Sequence, residues 1–305
     1  MSITRPQKAE TADFSNLRLP AIVQPKIDGV RGMNLVGHFT ARTLKRFRNT
    51  ELEVFDNPLF LGFDGELAKG GLTDQHLCTQ TTSWTNSYSH KTDRILPTWN
   101  LFDFVNKDTW YLPYYKRWEL LQQYVKALKE KYPEFHFLQE VPGAFLAETV
   151  EQIQQAHAYF VSLGYEGTII RYAHGSHKNG RSTLKEGYYL RIKDFLSESA
   201  QILGFTEAQE NFNIPEINAL GYTERSSSKE NKVGKGMIGA LIIRLPDGNE
   251  AKIGTGSLTH EQLTEYFNEP EKLIGRWCDF KHMPQGAKDK PRFGQFSCFR
   301  QEEDL

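Results

Sequence analysis

Apolar residues recur at helical spacing in only a few stretches of this chain. Between Pro113 and Lys131, Trp118, Leu121, Val125 and Leu128 fall on one stripe with polar residues between them, and Pro133 follows. That pattern predicts an amphipathic helix that the proline ends. A second helix is predicted over Thr149–Leu163, where Thr149 and Gln152 have capping-box spacing and Gly164 supplies the stop. Around these helices the apolar residues come in short β-like runs. Past Phe195 the pattern changes to strands: Ala200–Phe205, Ile238–Leu245, Glu250–Gly254, Arg276–Met283 and Phe293–Phe299. Asp247-Gly248 marks a hairpin turn, and Thr259–Phe267 reads as a short capped helix.

These patterns predict an α+β domain over residues 1–196 and a β-rich domain over residues 197–305. Five strands and a helix fit an OB-fold barrel, a fold that binds nucleic acid. The stretch 206–236, between the first of these strands and Met237, carries few apolar residues and reads as a loop. That is long for a loop in a compact domain, which points to a function for it.

Composition narrows the class. A chain of 305 residues with 39% hydrophobic and 25% charged residues is expected to be a soluble globular protein with two domains. No apolar stretch is long enough to span a membrane, and Met1–Pro6 lacks the apolar core of a signal peptide. The cysteines, Cys78, Cys278 and Cys298, are odd in number and lack metal-site spacing, so a reducing, intracellular setting is expected. The net charge of −1 hides basic clusters at 42–48, 178–185, 229–235 and 281–292, partly offset by Glu302-Glu303-Asp304.

The candidate chemistry begins at Lys26-Ile27-Asp28-Gly29-Val30-Arg31. Asp-Gly between apolar residues is by itself a hairpin signal, and lysine and arginine are common on exposed hairpin arms. The same hexapeptide also brings a possible amine nucleophile, a carboxylate and a guanidinium together. Strand alternation would put Lys26 and Asp28 on one side. Order along the chain favours the chemical reading. Phe63-Asp64-Gly65-Glu66-Leu67, Leu101-Phe102-Asp103-Phe104-Val105, Glu166-Gly167-Thr168-Ile169-Ile170-Arg171 and Leu190-Arg191-Ile192-Lys193 follow in turn.

In that order and spacing the segments resemble the covalent nucleotidyltransferases, and among them the minimal ATP-dependent DNA ligases of viruses and bacteriophages. Arg42 with Thr43–Asn49, Gly221–Ser226, Ile253–Gly256 and Pro291–Phe296 with Arg300 extend the resemblance over nearly the whole chain. It implies an adenylation domain followed by a five-stranded OB-fold barrel, with a latch in the 206–236 insertion. It also implies that Lys26 becomes the AMP-lysine, with Asp28 orienting the amine or a hydrated metal. Gln24, Ile27, Arg31, Arg42, Glu66, Phe102, Arg191 and Lys193 would bind the nucleotide: Glu66 at the ribose, Phe102 on adenine, and Arg191 and Lys193 at the phosphate. Glu166 would hold a divalent metal, Mg or Mn, and Arg292 and Arg300 would orient pyrophosphate. Lys229, Lys232 and Lys235 would meet DNA. Two positions depart from the family pattern. Arg191 stands where lysine is common, which keeps phosphate binding but not proton transfer, and Gly294 stands where proline is frequent.

The expected protein is therefore a monomeric, intracellular DNA ligase that uses ATP and a divalent cation on nicked duplex DNA. The alternatives are an mRNA guanylyltransferase, an RNA ligase, or a nucleic-acid clamp without chemistry.

Overall fold

The structure is a computed structural model that describes residues 5–287 and 290–300; the acidic stretch 302–304 lies outside the described residues. The chain divides into two compact units, one up to Lys193 and one from Asp194. In chain order the strands of the first unit are β1 (Gln7–Lys8), β2 (Glu10–Thr11), β3 (Ala21–Pro25), β4 (Val30–Met33), β5 (Thr40–Ala41), β6 (Phe63–Ala68), β7 (Thr98–Phe104), β8 (Leu138–Glu140), β9 (Phe145–Ala147), β10 (Thr168–Tyr172), β11 (Gly180–Arg181) and β12 (Leu190–Ile192). Its helices are α1 (Leu77–Asn86), α2 (Tyr114–Lys131) and α3 (Val150–Ser162).

The strands form two five-stranded sheets, ordered β2-β12-β10-β3-β9 and β5-β4-β6-β7-β8, and β1 pairs with β11 apart from them. The first sheet packs Val23, Ile170 and Leu190 against Ile153 and Phe160 of α3. The second sits on an aromatic core in which Phe39, Phe55, Phe60, Phe63, Trp99 and Phe137 surround one another, with Leu121, Val125 and Leu128 of α2 against them. Because β3 and β4 belong to different sheets, Asp28-Gly29 is not a hairpin turn. Lys26–Gly29 has no strand structure either, so strand alternation does not govern Lys26 and Asp28. The segment is a crossing from one sheet to the other.

The buried stripe of α2 is Tyr114, Arg117, Leu121, Val125 and Leu128, so Arg117 takes the inward place expected for Trp118. The reason is a buried ion network. Arg117 donates through Nε to Oδ1 of Asp103 at 2.8 Å and through Nη2 to Oδ2 at 3.2 Å. Arg171 donates to the same Oδ2 at 2.7 Å. Its guanidinium carbon lies 4.2 Å from the Tyr114 ring centroid and 4.1 Å from that of Tyr189. Asp103 belongs to β7 and Arg171 to β10, so this carboxylate ties the two sheets together. Both capping boxes form, Thr149 with Gln152 and Thr259 with Gln262.

The second unit holds β13 (Leu196–Asn211), β14 (Pro215–Ile217), β15 (Thr223–Arg225), β16 (Lys232–Arg244), β17 (Glu250–Ile253), β18 (Trp277–Ala287), β19 (Lys290–Phe299) and helix α4 (His260–Asn268). Its sheet runs β17-β16-β13-β18-β19 over a core of Ile202, Leu241, Ile243, Ile253, Leu263 and Phe280. The sheet is open rather than a fully laddered barrel: among the described residues its edges meet at the single bridge Gly254 to Gln295.

The stretch 206–236 is not a long loop. β13 and β16 stay paired as far as Asn211 and Lys232, and β14 pairs with β15 within the segment they enclose. The ribbon's tip is joined by Asn213, whose Nδ2 donates to the Ser226 and Ser228 carbonyls at 3.0 and 2.9 Å. The outer part of β13, with Glu207, Gln209 and Asn211, lacks the apolar alternation that marks a strand over a core.

Burial alone would raise the Asp103 carboxyl, but Arg117 and Arg171 hold it well below the usual carboxylate range. Its contribution to stability is then present above the unfolded value of about 3.9 and is lost as pH falls. Asp103→Ala, which strips both buried guanidinium groups of their partner, should cost about 3–5 kcal/mol in urea unfolding at pH 7. Asp103→Asn should flatten the loss of stability below about pH 4.

Candidate active site

Backbone register assembles the site. β3 and β10 are antiparallel, with Pro25 opposite Thr168, and Thr168 is in turn opposite Ile192 of β12. One residue further, Lys26 N–H donates to the Gly167 carbonyl at 2.9 Å and Glu166 N–H to the Lys26 carbonyl at 3.1 Å. Lys26 and Lys193 thereby approach Gly167 from its two sides, and the Glu166 carboxylate takes an ion pair from each. Gly167 has φ +150°, and a Cβ there would collide with the Ile192 carbonyl oxygen, so the close approach requires glycine. Gly29 is confined in the same way, because a Cβ would collide with the Leu67 carbonyl oxygen of β6.

These contacts set the protonation of the resting site. Burial would lower the Lys26 pKa, but Glu166, Glu66 and Asp28 raise it above the usual lysine value. Lys26 therefore rests as an ammonium, which has no lone pair for attack. Lys193 is lowered, by burial first and then by the charge of Lys26, which together outweigh Glu166. Burial would raise Glu166, yet the two ammonium groups lower it. Glu66 is pushed up to about 7, chiefly by burial. No directly bonded cation accompanies Glu66 among the described residues, so its carboxylate remains available to accept from a ligand.

The other expected residues divide into groups. Phe102 lies in a small cluster with Ile27, Ala68, Leu77 and Val141 rather than in the main core. The Arg31 guanidinium carbon lies 5.3 Å from the Phe102 ring centroid. Arg31 is engaged by Asp64, Nε to Oδ1 at 2.9 Å and Nη2 to Oδ2 at 2.5 Å, and by the Gln7 carbonyl at 2.7 Å. Gln24 is buried and donates to the Tyr114 hydroxyl at 3.2 Å. Arg191 donates to Thr11 Oγ1 at 3.1 Å, and its charge bears on Lys193. Arg42 is exposed on the first unit.

Arg292 and Arg300 belong to the second unit. Arg292 lies on β19 opposite Met283, and Arg300 donates to Ser199 Oγ at 3.0 Å. Lys229 and Lys235 are exposed and Lys232 is half-buried, all in or beside the ribbon. Among the described residues no three His, Cys, Asp or Glu side chains converge as a ready metal cage.

One group went unseen in the sequence. The parallel pairing of β1 with β11 sets Lys8 opposite Arg181. The Lys8 pKa is lowered by burial and then by the charges of Arg42, Arg181, Arg31 and Arg5. Glu10, 3.8 Å from Arg181, offsets part of this positive field. No local motif signals the cluster, because its members come from four separate segments.

Known proteins resemble this chain in sequence and in fold. Residues 231–300 match the model of the DNA ligase OB-like domain. The DNA ligase of African swine fever virus is 25% identical over 201 residues, 62% of this chain. The chain spans only 45% of that relative's length. The crystal structure of Chlorella virus DNA ligase-adenylate is 27% identical with a TM-score of 0.53, covering 99% of this chain and 100% of that one. A Lig E DNA ligase structure has a TM-score of 0.71 at 20% identity, over 97% of this chain and 99% of that one, which speaks for the fold alone. Through its OB-like domain, its viral relatives and the motif order around Lys26, the chain is similar to the ATP-dependent DNA ligases.

Proposed function

We propose that the protein seals nicks between a 5′-phosphate and a 3′-hydroxyl in duplex DNA, using ATP and a lysyl-AMP on Lys26. The observation that carries this reading is the Lys26–Glu166–Lys193 group, an amine nucleophile held between a carboxylate and a second cation. In the first step the Lys26 ammonium gives up a proton, its Nζ bonds to the α-phosphorus of ATP and loses a second proton, and the bond from that phosphorus to the bridging oxygen breaks to release pyrophosphate. In the second step an oxygen of the nick's 5′-phosphate bonds to the adenylate phosphorus, which frees Lys26. In the third step the 3′-hydroxyl oxygen attacks the 5′-phosphorus, its proton is lost, and AMP leaves with the former anhydride oxygen. In all three steps, positioning and charge stabilisation do most of the catalysis.

The chain's own residues divide the work. Glu66 accepts from the ribose hydroxyls, and Phe102 with Ile27 offers the base an apolar face. Lys193 and Arg191 hold the phosphate that is transferred. Arg292 and Arg300 orient pyrophosphate in the first step only. The cationic group of Lys8, Arg42 and Arg181 suits a terminal phosphate of the nick, since an anion there would relieve the repulsion that lowers Lys8. The lack of a preformed cage does not oppose a divalent cation, because Mg²⁺ commonly binds through one or two carboxylates plus substrate phosphates. Glu166, with hard oxygen donors beside Lys26, is the residue that would hold it. Once bound, the ion would neutralise charge on the phosphate oxygens.

ATP, divalent cations and broken DNA meet inside cells, which is where this reading puts the protein, as a monomer. Among the described residues no helix is long and apolar enough to cross a membrane. The ribbon of the second unit exposes Lys229 and Lys235 together with Phe212, Ile214 and Ile217, a combination suited to a latch on duplex DNA.

Incubation with labelled ATP should leave a stable adduct on the wild type, whereas labelled GTP should leave none. Lys26→Ala and Lys26→Arg should both lack the adduct while remaining folded, since a guanidinium keeps its proton. An adduct on either variant would locate the nucleophile elsewhere.

Glu166 raises the Lys26 pKa, so Glu166→Gln should move the titration of the Lys26 ε-carbon, followed by ¹³C NMR, to lower pH. An unmoved titration would deny the ion pair its part in setting the charge of Lys26.

Deleting residues 213–232 should weaken binding to a nicked duplex and reduce its salt dependence by about 0.9 of a log–log unit per lost phosphate contact. Lys26 adenylylation needs no DNA and should persist in that variant. Unchanged nick affinity would remove the latch.

A further inference from the structure

Phe102 sits at an irregularity in its sheet. Asp103 pairs with Asp64 and Leu101 with Gly65, so the ladder between β6 and β7 skips Phe102. The parallel ladder between β7 and β8 stops at Leu101 with Glu140. Phe102 is thus the extra residue of a β-bulge, a feature that re-aims side chains beside active sites. Its carbonyl accepts instead from the hydroxyl of Tyr114, at 2.6 Å. The same hydroxyl accepts from Gln24 Nε2 at 3.2 Å. Gln24 is 2% exposed and stands on β3 two residues before Lys26; Tyr114, in the first turn of α2, is 1% exposed. Its ring is held by Arg171, which pairs with Asp103, the residue after Phe102.

We propose that Tyr114 is a positioning residue for the nucleotide, its hydroxyl fixing the bulged Phe102 in one sheet to β3, the strand of the other sheet that leads into Lys26. The proposal rests on the function given above and deepens it, since the buried Tyr114 would act through Phe102 and Gln24. A bulged residue lacks the ladder bonds that aim its neighbours, so the direction of its ring depends on whatever holds its backbone. Tyr114 supplies one such bond, and through Gln24 it sets the spacing between the Phe102 ring and the Lys26 loop. Without the hydroxyl, a buried carbonyl and a buried amide N–H are left without their partner, and the two walls of the nucleotide site can shift independently.

Tyr114→Phe removes only the oxygen and keeps the ring on Arg171. The KM for ATP in Lys26 adenylylation should rise about five- to tenfold with little change in the maximal rate, the size expected for one such bond. Sealing of a pre-adenylylated nick, which bypasses ATP, should match the wild type. Gln24→Met should raise the KM in the same direction, and the double variant should fall short of the product of the two effects, as expected for partners in one relay. An unchanged KM for ATP would overturn the proposal. So would a loss that appears equally in pre-adenylylated sealing, because that is the signature of general destabilisation. Calorimetric titration with ATP reads the same affinity ratio without chemistry. Failure of the wild type to form the adduct would count against ligase function, whereas the affinity ratio decides the role of Tyr114 in either case.

Discussion

A single buried carboxylate underlies the first unit. Asp103 accepts from Arg117 of α2 and from Arg171 of the neighbouring sheet, and all three side chains are almost wholly shielded from water. Removing charges from water is costly, and such a group persists only when each member's partners are in place. Asp103 therefore fixes three elements at once: the strand carrying Phe102, the helix carrying Tyr114, and the strand that continues from Glu166. The Lys26 crossing runs between the two sheets this network joins, so its geometry depends on a seam that contains no catalytic atom.

Upon that seam the site is poised electrostatically rather than fully charged for reaction. Glu166 is shared by two lysines, and the field around Lys26 keeps its amine protonated. Attack needs the free amine, so activation must come from whatever draws Glu166 away or adds positive charge near Lys26. Under the proposed function, the cation that accompanies a nucleotide's phosphates would meet that requirement.

The second unit bears on a different question, how a chain of net charge −1 would hold the polyanion of the proposed function. What it offers is local: lysines placed on a polar ribbon that no core constrains. Because both faces of the outer β13–β16 ribbon meet solvent, no core dictates which residues it carries. The apolar residues exposed there, Ile214 and Ile217 among them, find no partner in the hydrophobic core.

By itself the sequence determined α2, α3 and α4 and the strands that lie over the core of the second unit, and it nominated a reactive set. Helical spacing, capping boxes and short apolar runs are local signals, and the order of Lys26, Glu66, Phe102, Glu166 and Lys193 along the chain carried the chemical proposal. Tertiary structure alone decided what those signals could not encode. Arg117 took an inward place that polarity assigned to Trp118, because its partner lies on a distant strand. Asp28-Gly29, a hairpin by composition, became a crossing because its flanking strands found different sheets. The 206–236 segment, a loop by polarity, became a ribbon because pairing needs backbone hydrogen bonds and not an apolar face. Lys8 joined Arg42 and Arg181, and Tyr114 joined Gln24 to Phe102, through pairings between segments far apart in sequence. Burial periodicity is written locally, whereas the partner of a buried polar group is chosen by the fold.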